Sequence, residues 1–147
     1  MKVLSIKEPF ATLIKDGVKI YETRSFKTNY RGEIYIHASK AMSKSENVEK
    51  AMPYLKSELK PGYILCKCNL VDCIYMTEEF IQKIKNTTNE SDYGRYEVGR
   101  YAWKLELIEV LEEPIPAKGK LGIWNYETKN NRDNWYLIYP YSKTKNK

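Results

Sequence analysis

The chain has 147 residues, of which 42% are hydrophobic and 30% are charged, a composition typical of a soluble globular protein. This length suffices for one domain with its own core, and no apolar run approaches the roughly 20 residues of a membrane-spanning helix. The formal net charge of +6, from 25 basic and 19 acidic residues, favours a polyanionic partner, nucleic acid above all.

The amino terminus carries no recognisable targeting signal. Its first residues, MKVLSIKEPF, contain a lysine and a short apolar patch, but they lack the long apolar region and the small-residue cleavage site of a secretory signal peptide. We therefore expect a cytoplasmic protein that does not associate with membranes. The sequence makes no prediction of an oligomeric state.

The three cysteines, Cys66, Cys68 and Cys73, lie close together in the sequence. An odd number in a chain without a secretion signal argues against a disulfide framework. On a strand, Cys66 and Cys68 share a face, while Cys73 points the opposite way unless a bulge intervenes. Because a structural zinc site needs four ligands, the cysteines are predicted to be small core residues, and neither a metal nor another cofactor is expected.

The hydrophobic pattern predicts several strands with a few short helices between them. After an apolar run at residues 3–6, Pro9 opens a helical pattern that ends near Gly17, a residue suited to a helix C-cap. Residues 86–94 form the most polar interior stretch and are predicted to be a loop. Further strands are predicted at residues 19–25, 33–39, 63–76, 100–116 and 134–141, and further helices within residues 43–59 and in TEEFIQKIK from Thr77.

This order of elements determines the predicted fold class. Because the strands do not alternate regularly with long helices, the pattern favours an α+β fold: a small, largely antiparallel β-barrel with two or three short helices packed on it. No repeat or internal linker divides the chain, so residues 1–141 are predicted to form a single domain. Residues 142–147 are predicted to be a basic tail.

One charged cluster carries the strongest functional signal. The segment GVKIYETRS, residues 17–25, brings Lys19, Glu22 and Arg24 close together in the sequence. On a strand, Glu22 and Arg24 share a face, whereas the direction of Lys19, at the junction of helix and strand, does not follow from strand alternation. The pattern has two interpretations: a compact polar cluster, or an exposed ion pair worth at most about 1 kcal/mol.

The same segment carries a resemblance to a known family. The spacing Gly-x-Lys-x-x-Glu-x-Arg, which begins at Gly17, resembles the motif of the ASCH domain, the activating-signal-cointegrator homology family of the PUA-like superfamily. The resemblance continues through IHASK and through YAWKLELIEVLEEPIPAKGKLGIW, and so covers nearly the whole chain. It implies a PUA-like β-barrel with helices packed on it, in agreement with the fold class that the pattern predicts.

The resemblance also implies a cleft, lined by Lys19, Glu22 and Arg24, that binds RNA or a nucleotide. The chemistry of the three side chains suits such a ligand. Lys19 can neutralise a phosphate, and Arg24 offers a planar fork for a phosphate, a carbonyl edge or a stacked base. Glu22 can accept a hydrogen bond from an exocyclic amine or a ribose hydroxyl, or hold Arg24 in place.

Four further residues are candidates for the same site. His37 and Ser39 lie on the face of their strand opposite its isoleucines, so the pattern does not commit them to the core, although a structural role for the histidine is the alternative. Lys40 follows them as a candidate phosphate contact. Trp124 is suited either to stacking on a base or to anchoring its segment to the barrel, whereas Trp103 is predicted to belong to the core.

An enzymatic function is the alternative to binding alone. Some small ASCH-type relatives are amidohydrolases of acylated cytidines, and their threonine nucleophile, activated by the motif lysine, occupies the position held here by Glu22. Thr23 is adjacent, but one step along a strand turns a side chain to the opposite face, so amide hydrolysis is disfavoured. Ribonuclease activity, also described in the family, stays open, since His37, Lys19 and Glu22 can supply acid–base chemistry.

Overall fold

A computed structural model describes residues 1–127. This part of the chain forms six strands, three short α-helices and two 3-10 turns. The strands are β1 (Lys2–Glu8), β2 (Tyr21–Arg24), β3 (Gly32–Met42), β4 (Tyr63–Tyr75), β5 (Tyr101–Pro116) and β6 (Ile123–Asn125). The helices are α1 (Phe10–Lys15), α2 (Val48–Ala51) and α3 (Glu78–Thr87), and the 3-10 turns are Met52–Tyr54 and Glu90–Asp92.

The six strands belong to one sheet in the order β2-β5-β4-β3-β1-β6. Every neighbouring pair is antiparallel except β1 and β3, which are parallel. The predicted α+β class, with a largely antiparallel sheet and short helices, is therefore confirmed.

The sheet is open rather than a hydrogen-bonded ring, since β2 and β6 form its two edges within the described residues. Strand β6 pairs with only three residues of β1, namely Lys2, Val3 and Leu4. Beyond it, the carbonyl of Ser5 accepts a hydrogen bond of 3.0 Å from Nη2 of Arg24 on β2. A side chain from the short strand β2 thus bridges the opening where a closed barrel would have backbone pairing.

Helix α1 positions the start of the charged motif. Its residues 11–14 are buried, and the buried carboxylate of Glu8 accepts hydrogen bonds from the amide and the hydroxyl of Thr12 at 2.8 and 2.5 Å. Gly17 then adopts a φ of +78°, a left-handed conformation that glycine takes without strain. The chain therefore turns at once from the helix into Lys19 and β2.

The main core lies where α1 packs against β1, β3, β4 and β5. Apolar side chains at alternating strand positions supply most of it, because residues two apart on a strand share a face. Its buried members are Leu4, Ile6, Ala11, Ile14, Ile34, Ile36, Ala38, Leu65, Cys66, Cys68, Leu70, Trp103 and Leu105. Trp103 is thus a core residue, as its spacing predicts.

The cysteines take part in this core. Cys66 and Cys68 are fully buried, and their mutual hydrogen bond, together with burial, raises the pKa of the Cys66 thiol. Cys73 packs against the same cluster, because the pairing of β4 with β5 shifts register between Leu70 and Asp72 and so reverses the alternation of faces. Within residues 1–127, no three histidine, cysteine, aspartate or glutamate side chains are grouped as metal ligands would be.

Two predicted elements differ from the structure or lie outside it. The helix expected within residues 43–59 is only one turn long, followed by the 3-10 turn Met52–Tyr54, because Pro53 lacks the amide that would continue the helix. The strand predicted at 134–141, the boundary at residue 141 and the tail at 142–147 lie outside the described residues.

In residues 1–127 no helix is long and apolar enough to cross a membrane.

Candidate nucleic-acid interface

The structure brings Lys19, Glu22 and Arg24 together along one cleft of about 460 Å³, called the motif cleft below. Nε of Arg24 donates a hydrogen bond of 2.9 Å to Oε2 of Glu22. Nζ of Lys19 lies 3.8 Å from Oε1 of the same carboxylate. Glu22 therefore sits between the two cations and faces each with a different oxygen.

Lys19 forms the floor of the motif cleft. It is only 4% exposed, its amine donates a hydrogen bond of 2.7 Å to the carbonyl of Tyr93, and it lies 5.5 Å from the ring centre of Phe10. Burial lowers the pKa of Lys19, and the carboxylates of Glu22 and Glu90 oppose that shift. The direction of Lys19, which strand alternation leaves open, is thus set by contacts with distant parts of the chain.

Glu90 is a buried carboxylate behind the cleft that the sequence gives no reason to select. It is 3% exposed and accepts hydrogen bonds from the amides of Ile20 at 2.9 Å and Tyr21 at 3.2 Å. Burial raises the pKa of Glu90, while Lys19 and the two amides oppose the shift. Because Glu90 lies in the stretch predicted to be a polar loop, only the folded chain reveals that it fixes the start of β2.

Arg24 is held in place from several sides. Besides its bond to Glu22, its Nη2 donates to the carbonyl of Ser5, and its guanidinium carbon lies 5.8 Å from the centre of the Trp103 ring. These contacts fix the plane of the guanidinium while its side chain stays 21% exposed. A pre-oriented, partly accessible guanidinium is suited to phosphate or base recognition.

The lining of the motif cleft is strongly cationic, and most of its cations lie outside the motif. Glu22 is the only acidic residue among the described residues that line the cleft. Gly94 lies close to the motif, since a Cβ there would be 3.2 Å from Cγ2 of Thr23 and 3.5 Å from Nζ of Lys19. Six cationic residues line the cleft: Lys7, Lys19, Arg24, Arg95, Arg100 and Lys120.

Strand alternation predicts that Thr23 turns away from Glu22, but Thr23 also lines the motif cleft, and its hydroxyl already has a partner. Oγ1 of Thr23 accepts a hydrogen bond of 3.2 Å from the amide of Arg95, and its carbonyl accepts one of 3.3 Å from Nη2 of Arg100. Thr23 thus ties the segment that carries Arg95 and Arg100 to β2, and the Arg95 amide orients its hydroxyl.

His37 belongs to a hydrogen-bonded chain next to the motif cleft rather than inside it. Its Nε2 lies 2.8 Å from the carbonyl of Ala117, an acceptor, so Nε2 carries the proton. Nδ1 therefore accepts from the hydroxyl of Ser5 at 2.9 Å, and Ser5 in turn accepts from the indole nitrogen of Trp124 at 3.0 Å. Burial lowers the pKa of His37, and the Ala117 carbonyl opposes the shift.

The remaining candidates divide between two neighbouring clefts. Ser39 lines both the motif cleft and a second cleft of about 840 Å³, whereas Lys40 lines only the second. Trp124 is 7% exposed and packs with Val3 and Ile64 in a smaller core cluster. Of its two predicted roles, the structure thus shows anchoring contacts for this tryptophan.

Comparisons with known proteins identify the family of the chain. The ASCH domain family matches residues 4–140 of the chain. The chain is 26% identical over 136 residues to activating signal cointegrator 1 of Homo sapiens and, equally, to that of Mus musculus. Each alignment covers 86% of this chain and 22% of the relative, so the chain spans about a fifth of the length of these relatives. The chain belongs to the ASCH domain family.

Proposed function

We propose that the motif cleft binds RNA or a nucleotide. The observation that carries this proposal is the charge of the cleft: six cationic residues and one carboxylate line a concave surface of about 460 Å³. Such a concentration of positive charge attracts a polyanion and provides contacts for its phosphates. We also propose that the protein is cytoplasmic and that it binds this ligand without a cofactor.

The positions of the motif residues suggest a division of roles. Lys19 is buried and already donates to the Tyr93 carbonyl, so it supplies positive charge from the floor of the cleft. Arg95 lies at the rim, where its side chain is 63% exposed and pairs with the similarly exposed Glu97 at 3.1 Å, and a phosphate can replace that carboxylate as its partner. Arg24 and Glu22 lie between floor and rim, where the guanidinium provides a stacking plane or fork and the carboxylate accepts from an amine or a ribose hydroxyl.

Membership of the ASCH family supports a site but not by itself an activity, because one fold hosts many functions. The binding proposal therefore rests on the residues present here. Hydrolysis of acylated cytidine would need a nucleophile beside Lys19, and Glu22 stands at the position where the hydrolase relatives carry threonine. Binding without amide hydrolysis is the function that this arrangement supports best.

The experiment compares two arginine-to-alanine variants in equilibrium binding of labelled, random-sequence single-stranded RNA. Arg24→Ala should weaken binding by about 1–3 kcal/mol, the range for a charge-assisted contact. Arg31→Ala removes the same charge from an exposed residue that bonds only to the carbonyls of Thr28 and Tyr30, and it should have a much smaller effect. Equal losses in both variants, or no loss in either, would contradict the proposed site.

A further inference from the structure

The second cleft is continuous with the motif cleft. It has a volume of about 840 Å³, and the two clefts share Ser5, Ser39, Lys120 and Leu121 among their lining residues. The segment 117–121, which leads from β5 towards β6, lines much of the second cleft. A ligand that fills the motif cleft can therefore extend past this segment without leaving the protein surface.

The second cleft has the chemistry of a nucleotide site. Lys40, Lys118 and Lys120 line it, and its described lining contains no carboxylate. Tyr63, which is 40% exposed, and the ring of Pro61 contribute apolar surface to the same cleft. Lysines beside an aromatic ring and other apolar groups suit a phosphate followed by a base.

Leu121 stands between the two clefts. It lines both of them and is 97% exposed. The segment that carries it is seated firmly, because a Cβ on Gly119 would lie 2.8 Å from both Cε1 of His37 and Oγ of Ser5. In architectural DNA-binding proteins, apolar side chains such as leucine insert between two successive bases and partly unstack them.

We propose that a single strand of nucleic acid occupies both clefts, with one base in the motif cleft, the neighbouring nucleotide in the second cleft, and Leu121 between the two bases. This inference rests on the proposed function and extends it by naming the ligand class: an unpaired strand of at least two nucleotides. A duplex keeps its bases stacked and paired, so it does not fit this arrangement.

The test measures how affinity depends on ligand length. Equilibrium binding is compared for a mixture of the four nucleoside 5′-monophosphates, random-sequence single-stranded RNA tetranucleotides, and an RNA duplex. The wild-type protein should bind the tetranucleotides at least tenfold more tightly than the monophosphates, because one more stacked base and one more phosphate contact contribute. Tyr63→Ala and Lys118→Ala should each reduce that ratio severalfold.

Leu121→Ala should lower the affinity for tetranucleotides about tenfold, and the change is tolerated structurally because the side chain is exposed. Ile108→Ala is its control, since Ile108 is 49% exposed and lines neither cleft. Lys83→Ala, an exposed charge on α3, is the control for Lys118→Ala.

The outcomes separate the two proposals. Binding of monophosphates with no gain for tetranucleotides would overturn the two-cleft inference and leave the motif cleft intact as a nucleotide site. The two-cleft inference would also be overturned if Leu121→Ala and Tyr63→Ala left the gain in affinity from monophosphate to tetranucleotide unchanged, or if the protein bound the duplex more tightly than the single strand. Failure of all three probes to bind would overturn the proposed function itself.

Discussion

Glu22 accepts a 2.9 Å hydrogen bond from Nε of Arg24, two residues further along the same short strand. Both side chains face the cleft because residues two apart on a strand share a face, and the remaining oxygen of Glu22 lies 3.8 Å from the amine of Lys19. The motif is therefore a geometric unit: the carboxylate orients the guanidinium and offsets the charge of a buried lysine.

Replacing Arg24 with lysine tests whether the planar fork matters beyond its charge. Arg24→Lys keeps the positive charge but cannot contact Glu22 and the Ser5 carbonyl with two separate nitrogens of one plane. We expect affinity for single-stranded RNA to fall by about 1–2 kcal/mol, measured by fluorescence anisotropy. Arg31→Lys is the matched control, and wild-type affinity in Arg24→Lys would mean that the site senses charge alone.

Removing Glu90 should destabilise the fold strongly. Glu90→Ala leaves the amides of Ile20 and Tyr21 without their acceptor and removes a negative charge near buried Lys19. We expect the free energy of unfolding to fall by about 2–5 kcal/mol, measured by chemical denaturation. The exposed Glu112→Ala should change it by less than about 0.5 kcal/mol, and a similarly small effect at Glu90 would contradict the bracing role assigned to it.

The pKa of His37, the only histidine of the chain, should lie below its ordinary value of 6.5 because of burial. As the pH falls below 6.5, the unfolded chain then takes up a proton before the folded protein does. His37 therefore contributes a loss of stability that begins near pH 6.5 and is complete below its folded pKa. No such contribution is expected in His37→Gln.

Proton NMR of this single ring gives its pKa directly. A titration midpoint at or above 6.5 would show that burial does not hold the ring neutral in the folded protein. The unfolding free energies of wild type and His37→Gln, compared across the same pH range, provide the independent check on stability.

Incubation with N4-acetylcytidine should leave this substrate intact. The prediction follows from Glu22 at the position of the relatives' nucleophile and from the partners of Thr23 and Lys19: the Thr23 hydroxyl bonds to the amide of Arg95, whereas Lys19 donates to the carbonyl of Tyr93. Chromatography of the incubated nucleoside is the measurement. Turnover that disappears in Lys19→Met would show that another group serves as nucleophile and that the enzymatic alternative is correct.

The sequence predicts the local parts of the site because they depend on short-range pattern. The facing of Glu22 and Arg24 follows from strand alternation, and the turn into Lys19 follows from a glycine at the end of α1. Glu90 could not be predicted in the same way, since its partners at Ile20 and Tyr21 lie about seventy residues away in the chain. A stretch that forms an exposed polar loop has the same composition as one that places a carboxylate in the interior.

The difference between short-range pattern and long-range packing also explains why the open sheet and the cationic rim of the cleft could not be predicted from the sequence. The periodicity of the sequence identifies strands. It does not tell whether the two ends of the sheet are joined by backbone hydrogen bonds, as in a closed barrel, or by a side-chain hydrogen bond, as between Arg24 and the Ser5 carbonyl. The rim residues Arg95 and Arg100 lie outside the motif, and they reach it only because α3 and the turn after it pack beside β2. Long-range packing, which a single sequence does not encode in a readable pattern, decides both features.

The most direct measurement is a crystal structure of the protein with a bound single-stranded RNA tetranucleotide. We predict that a nucleotide lies in the motif cleft, with its base or phosphate within hydrogen-bond distance of Arg24 and with Arg95 or Arg100 on a neighbouring phosphate. A strand bound on another face, for example along the exposed stretch of β5 around Ile108, with Arg24 and Glu22 making no contact to the RNA, would contradict the assignment of this cleft.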